Sequence, residues 1–353
     1  MSAIAKPSLR HPALRPDWID RPHEIQSLGD LPLESGAAIR DAHLCYVTHG
    51  TLNAARDNAI LVLSAIGATH HRLDFLIGPG RALDPQRHCI VCVDALGNGL
   101  SISPSNSRAQ PGMGFPRFSI RDMVASQARL IDALGIARLA AVCGASMGGM
   151  QALQWGASDP TRVGKLIAMT PMTRTSSWSR AIAELSRQAL MLDPAWTGER
   201  FAGNPTRGYA LWAGLMRVLA SRTPDALARS LPDPAGTTAY LAELGEDAAI
   251  NGPDPIDWIY QTWAYDGHDV GQTPGCGGSI EAALGRAVMP ALVLAPPVDL
   301  YNPPDEARRA AALLPRGTFV EIPSVEGHQA ASAVDARDAA LLNRTIGRFL
   351  VEV

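Results

Sequence analysis

The chain has 353 residues, 46% of them hydrophobic, which is long for one average domain and enough to bury a sizeable core. Its formal net charge of -3, with acidic and basic residues interspersed, argues against nucleic-acid binding. No apolar run approaches the roughly 18 residues that a membrane span needs, so neither nucleic acid nor membrane is expected as a partner.

In chain order, residues 1–35 are rich in proline and polar side chains and read as an irregular N-terminal arm. The arm holds no apolar stretch of signal-peptide length, which gives the expectation of a cytoplasmic protein. Residues 37–52, "AAIRDAHLCYVTHGTL", alternate in polarity as one or two edge strands do. Short apolar, branched runs follow at 59–64 (AILVLS), 89–94 (CIVCVD), 139–144 (LAAVCG), 165–170 (KLIAMT), 290–296 (PALVLAP) and 318–322 (TFVEI). Such runs are typical of parallel strands buried on both faces.

Helical patterns separate the runs. "SIRDMVASQARLIDALG" (119–135) spaces its apolar residues by three and four and stops at a glycine, and "PPDEARRAAALLP" and the closing "VDARDAALLNRTIGRFLVEV" do likewise. Strands alternating with helices predict an α/β fold with a mostly parallel sheet covered on both faces. Residues 172–286 break the alternation: they are helix-like, hold five tryptophans and offer no convincing buried strand. They read as a helical cap inserted into a core made of residues 36–171 and 287–353.

One junction carries the chemistry. In "LAAVCGASMGGMQALQW" an apolar strand meets a helical pattern at G-A-S-M-G, with Ser146 between Gly144 and Gly148. The pentapeptide alone recurs by chance, but strand before and helix after make it a nucleophile elbow, a tight turn that exposes the serine hydroxyl. In this arrangement the partners follow as Ser, then Asp or Glu, then His. Two histidines follow Ser146: His328 lies in a loop after the "TFVEI" strand, where a base should sit, and His268 lies in the cap. Asp299 follows the "PALVLAP" strand and suits the orienting acid, whereas Asp305 looks like the first turn of the next helix. The oxyanion would be held by the backbone N–H of Met147 and of Ile66, the latter from the loop "AIGATHH".

Other motifs carry less. Cys89 and Cys92 form a C-x-x-C inside a buried-strand pattern and read as reduced core thiols. His70 and His71 are adjacent, but no H-E-x-x-H or comparable spacing accompanies them, so no metal is expected.

At these residues the chain resembles a known family. "YVTHGTLN", "NAILVL", "LIGPGRALD", "SIRDMV", "RLAAVCGASMGGMQALQW" and the "GH" at 327–328 are similar to the homoserine O-acetyltransferases of the α/β-hydrolase fold, over about residues 30–350. The resemblance implies a Ser146–His328–Asp299 triad, an acetyl-serine intermediate and a helical cap over the site of the kind often used to form a homodimer. It also implies an aspartate after the catalytic histidine for the substrate's amino group, where Gln329 stands. A cap-helix arginine for the homoserine carboxylate is implied as well. The matching stretch, "GYALWAGLMRVLASR" (208–222), has Trp212 and Ala213 there, with Arg217 out of register.

Losing one partner of a buried ion pair costs about 3–5 kcal/mol, and each 1.4 kcal/mol is about tenfold, so homoserine is a poor candidate acceptor. A cap rich in Trp212, Leu215, Met216 and Trp263 suggests a less polar substrate, with Gln329, Trp212, Arg217 and His268 as pocket candidates. The leading expectation is a serine hydrolase of small carboxylic esters or thioesters that needs no cofactor. The alternatives are an acetyl-CoA-dependent O-acyltransferase with another hydroxyl acceptor, and a non-catalytic binding protein of the same fold.

Overall fold

The computed structural model describes residues 11–352; the first ten residues of the expected arm lie outside the described residues. Among the described residues eight strands form one sheet: β1 (Glu24–Pro32), β2 (Ala38–His49), β3 (Ala59–Leu63), β4 (Cys89–Val93), β5 (Ala141–Ala145), β6 (Leu166–Met169), β7 (Ala291–Ala295) and β8 (Gly317–Glu321). Their order is β1-β2-β4-β3-β5-β6-β7-β8. β1–β2 and β2–β4 pair antiparallel, and every later pair is parallel. Two details differ from the sequence pattern. Residues 24–32 of the arm are a strand, and β2 is a single strand inside the sheet with β1 as the true edge. β1 hides from pattern reading because Leu31 alone among its side chains is buried and its register slips around Gly29.

The helices are α1 (Ile120–Ala133), α2 (Met147–Ser158), α3 (Ser177–Met191), α4 (Thr206–Ala213), α5 (Pro224–Ser230), α6 (Thr237–Asn251), α7 (Pro255–Asp266), α8 (Ile280–Gly285), α9 (Pro304–Leu313) and α10 (Ala336–Val351). The apolar runs of β3 to β7 are buried throughout because both sides of the sheet are covered there. The expected buried strand at 318–322 is instead the edge strand β8, with none of its residues buried because, among the described residues, no strand pairs with its outer side. Leu61 and Leu63 of β3 pack with Met123 of α1 and Leu153 of α2. Ile60 and Val62 of the same strand belong to the opposite layer, with Leu342 and Ile346 of α10. Ser119 starts α1 with a capping box, its side chain accepting from Asp122 N–H while the Asp122 carboxylate takes the Ser119 N–H. Asp305 sits in the first turn of α9 and pairs with Arg308.

Between β6 and β7 the chain leaves the sheet as a helical insertion, α3–α8. Its entry is laced to the segment after α7: Val270 N–H donates to the Thr173 carbonyl (2.9 Å) and Thr175 N–H to the His268 carbonyl (3.0 Å). His268 is fully buried in this seam, its Nε2 bonded to the Met172 carbonyl at 3.0 Å. It fastens the insertion and does not reach the cavity described below, which corrects its expected place in the substrate pocket.

The turn from β5 into α2 leaves no room for side chains. A Cβ at Gly144 would stand 2.2 Å from the Gly148 carbonyl oxygen, and one at Gly148 2.5 Å from the Leu63 carbonyl oxygen. Gly144→Ala therefore forces backbone apart and should cost about 1–3 kcal/mol or more, read by urea unfolding. Gly285→Ala, where nothing lies within 4 Å, should stay within about 0.5 kcal/mol of wild type.

His268 generates a second expectation. Burial lowers its pKa from 6.5 to about 4. Between those values the unfolded chain binds a proton that the folded site refuses, so stability falls as pH drops through that window. At pH 5 the loss is roughly 2 kcal/mol. His268→Gln, whose amide can still donate to Met172, should show that much less loss between pH 7 and 5; an unchanged pH slope would contradict it.

Candidate active site

Ser146 caps α2 with φ 56° and ψ -123°, a backbone conformation that side-chain-bearing residues rarely adopt. The strain is held from several sides. Ser146 N–H donates to the Met169 carbonyl at the end of β6 (2.9 Å), and Gly149 passes close to that same carbonyl oxygen. The turn lifts the Ser146 hydroxyl off the carboxyl end of the central strands.

There it meets two partners that are distant in sequence. His328 Nε2 lies 2.8 Å from Ser146 Oγ, and His328 Nδ1 lies 2.7 Å from Asp299 Oδ2. The other Asp299 oxygen accepts the N–H groups of Tyr301 (2.8 Å) and Asn302 (2.9 Å). Both oxygens of this buried carboxylate are thus satisfied, and its orientation is fixed by backbone. A carboxylate on Nδ1 keeps the proton there and leaves the Nε2 lone pair toward the serine. The Tyr301 ring stands edge-on to the imidazole, 5.2 Å between centroids.

The cap braces the histidine loop. Arg222 pairs with Glu326 at 3.0 Å, and the Thr223 hydroxyl donates to the Val325 carbonyl. Gly327, at φ 63°, lets the backbone pass the Ser221 carbonyl, which a Cβ would approach to 3.2 Å.

Ser146 and His328 open into a cavity of about 670 Å³ between core and cap. Of the expected pocket residues, Gln329, Trp212 and Arg217 line it, together with Ile66 and Met216. Leu215 and Trp263 do not: Leu215 packs against the core, and Trp263 lies under the Arg117 guanidinium at 3.7 Å. Met147 is the first residue of α2, so its N–H has no acceptor within the helix and stands beside Ser146.

Trp258, which a strand-and-motif reading passes over as cap core, forms a wall of the cavity and meets the Trp212 ring edge-on at 4.9 Å. α4 continues as a π-helical turn, Gly214–Ala220, which carries Met216 and Arg217 into the wall.

The charges in the cavity are unevenly spent. Arg217 pairs with Asp247 and lies over the Trp212 ring, and Arg222 is held by Glu326. Arg72 also lines the cavity, half-buried, and among the described residues its guanidinium has no hydrogen bond or ion pair. Burial lowers its pKa to about 10, so it stays charged near neutral pH. Its only sequence signal is its place in "THHRLD", after the loop that follows β3.

All five cysteines are free and buried. Burial raises the thiol pKa values of Cys92 and Cys143, so neither is a reactive thiolate. Among the described residues no helix is long and apolar enough to cross a membrane.

Comparison with known proteins agrees with this architecture. A family model of the alpha/beta hydrolase fold matches residues 58–330. A homoserine O-acetyltransferase from Moorella thermoacetica is 34% identical over 337 residues, covering 85% of this chain and 89% of that relative. Among solved structures, the acetyl esterase MekB superposes with a TM-score of 0.87 at 28% identity, covering 94% of this chain and 97% of that one. An acetylester hydrolase from Corynebacterium glutamicum gives a TM-score of 0.86 at 26% identity, covering 94% of this chain and 96% of that one. The chain is an enzyme of the α/β-hydrolase superfamily and belongs to its homoserine O-acetyltransferase-like family.

Proposed function

We propose that this enzyme hydrolyses small carboxylic esters or thioesters through an acyl-Ser146 intermediate. The observation that carries the reading is the unbroken hydrogen-bonded line from Ser146 Oγ through His328 to Asp299 at the floor of the cavity. In the forward half-reaction His328 Nε2 takes the Ser146 proton as the hydroxyl attacks the ester carbonyl. The amides of Met147 and Ile66 receive the developing oxyanion, and the protonated imidazole passes its proton to the leaving alcohol or thiol. Asp299 stabilises the imidazolium and keeps its tautomer. In the second half a water, deprotonated by His328, attacks the acyl-serine, the acyl C–Oγ bond breaks, and the imidazolium returns its proton to Ser146 Oγ as the acid leaves.

Hydrolysis over transfer is supported by the walls. A held acceptor has an effective molarity of about 10⁵ M or more, so transfer outruns water only where a site grips that acceptor. Gln329 offers no charge to an amino group, and Arg217 is already spent on Asp247. Both halves of a homoserine zwitterion therefore lack their expected partners. The similarity to the acetyl esterase MekB and to the Corynebacterium glutamicum hydrolase favours the same reading.

Arg72 favours a second reading, an O-acyltransferase whose acceptor carries a carboxylate, because an unpaired guanidinium in a cavity wall is a ready anion partner. The two readings separate in one assay set: acid release from short p-nitrophenyl esters, and thiol release from acetyl-CoA alone, with homoserine and with hydroxy acids. Ester turnover without acceptor-dependent thiol release supports the hydrolase; strong acceptor dependence overturns it.

Ser146→Ala should lower turnover by about 10³-fold or more, and Asp299→Asn by about 10⁴-fold through the wrong tautomer. Activity that survives Ser146→Ala would contradict the mechanism. Arg72→Ala should raise KM for carboxylate-bearing substrates by about 10–100-fold and leave neutral esters within about twofold. Equal effects on both substrate classes would remove Arg72 from recognition.

A further inference from the structure

The histidine pair that carries no metal signature in the sequence gains a third member in the fold. His11, from the N-terminal arm, comes to His70 and His71, and one ligand atom from each of the three lies within 4.8 Å of the others. The hydrogen bonds fix what each ring presents. His11 Nδ1 lies 2.7 Å from the Pro12 carbonyl, His70 Nδ1 2.9 Å from Asp94 Oδ2, and His71 Nδ1 2.6 Å from Asp74 Oδ2. All three partners are acceptors, so each Nδ1 carries the proton and each Nε2 keeps a free lone pair.

Those lone pairs are not otherwise used. His70 Nε2 is buried without a partner, on a residue only 2% exposed. His71 Nε2 faces His11 Nε2 at 3.1 Å, two acceptors turned toward each other with no donor between them. Behind the rings stand two buried carboxylates, Asp74 and Asp94, 2% and 0% exposed. Asp94 also accepts from the His70 N–H and the Asn98 side-chain amide, and Asp74 from the Ile19 N–H. Among the described residues no Lys or Arg forms an ion pair with either, so a divalent cation on the imidazoles would supply the positive charge they lack.

We propose that His11, His70 and His71 bind a divalent transition-metal ion of the imidazole-preferring kind, Zn²⁺ first, through their Nε2 atoms. Imidazole nitrogen suits Zn²⁺, and Zn–N bonds of 2.0–2.1 Å in a tetrahedron put nitrogens about 3.4 Å apart. The 3.1 Å pair is near that spacing, and a small swing of one ring closes the third side. Asp94 and Asp74 are the outer carboxylates that hold ligating histidines in one tautomer and orientation. The fourth position is left to water or an added ligand. The Trp18 ring stacks on His71 at 4.3 Å, and Trp18, Pro12 and His71 all line the cavity, so the ion would staple the arm to the cavity wall.

The site escapes sequence reading because its third ligand lies 59 residues before His70, in a segment with no regular structure.

The test is metal retention by the full-length protein, with Zn²⁺ and Co²⁺ as probes. Wild type is loaded with Zn²⁺, desalted and assayed for zinc and protein; one ion per chain is expected. His11→Ala removes a half-buried ligand whose ring, among the described residues, hydrogen-bonds Pro12 and His71 and packs on Trp18, His23 and His70 outside the sheet core, so the variant keeps its fold while losing the retained zinc. Asp74→Asn should weaken binding by about 10–100-fold. Co²⁺ should give the visible spectrum of a four-coordinate nitrogen site without thiolate charge-transfer bands. Three outcomes overturn the proposal: no zinc retained by wild type, equal retention by wild type and His11→Ala, or thiolate bands that move the ion to a cysteine.

Discussion

The site depends on one backbone constraint, the positive φ of Ser146 at the end of β5. An L-residue in that conformation persists only where its surroundings over-determine it. Here the determinants are close backbone crossings. Gly144 lies against the Gly148 carbonyl, Gly148 against the Leu63 carbonyl and Gly149 against the Met169 carbonyl. The parallel pairing of β3, β5 and β6 sets the Leu63 and Met169 carbonyls in place, so the sheet register and the serine's exposure are linked.

The same end of the sheet delivers the partners. Asp299 leaves the end of β7 and is locked by two amides of its own turn, while His328 leaves the loop after β8. Asn302 ties this turn to β6, its side-chain amide donating to the Thr170 carbonyl at 2.7 Å. The cap does more than roof the cavity. Its Arg222 and Thr223 hold the chain just before His328, so the imidazole is positioned from both layers. The cavity's aromatic walls and the half-buried Arg72 guanidinium, unpaired among the described residues, then bear on what the serine meets.

Much of this is legible in the sequence, for physical reasons that differ by residue. The parallel strands announce themselves because burial on both faces removes every polar residue from runs such as "AILVL". Ser146 and Asp299 can be picked out because each follows such a run, and His328 because it follows the edge strand β8; strand ends on one sheet edge converge. β1 is not legible, since an edge strand with one buried side chain has no pattern to show. The cap is legible as helix but not in its facing: Trp212 and Trp258 turn to the cavity, whereas Trp263 turns to Arg117. His268 shows the same limit, because a lone histidine in a loop looks alike whether it faces a substrate or seals a seam. Arg72 and the His11–His70–His71 cluster depend on contacts between segments that no local spacing encodes.

The central claim is that the acyl group passes through Ser146 and leaves to water. Rapid-quench mass spectrometry of the protein with p-nitrophenyl acetate tests it most directly. The expected result is one acetyl group per chain, on the peptide that contains Ser146, decaying in buffer without any added acceptor. An adduct on another residue, or an acetyl-Ser146 that persists until a hydroxyl acceptor is supplied, would contradict it.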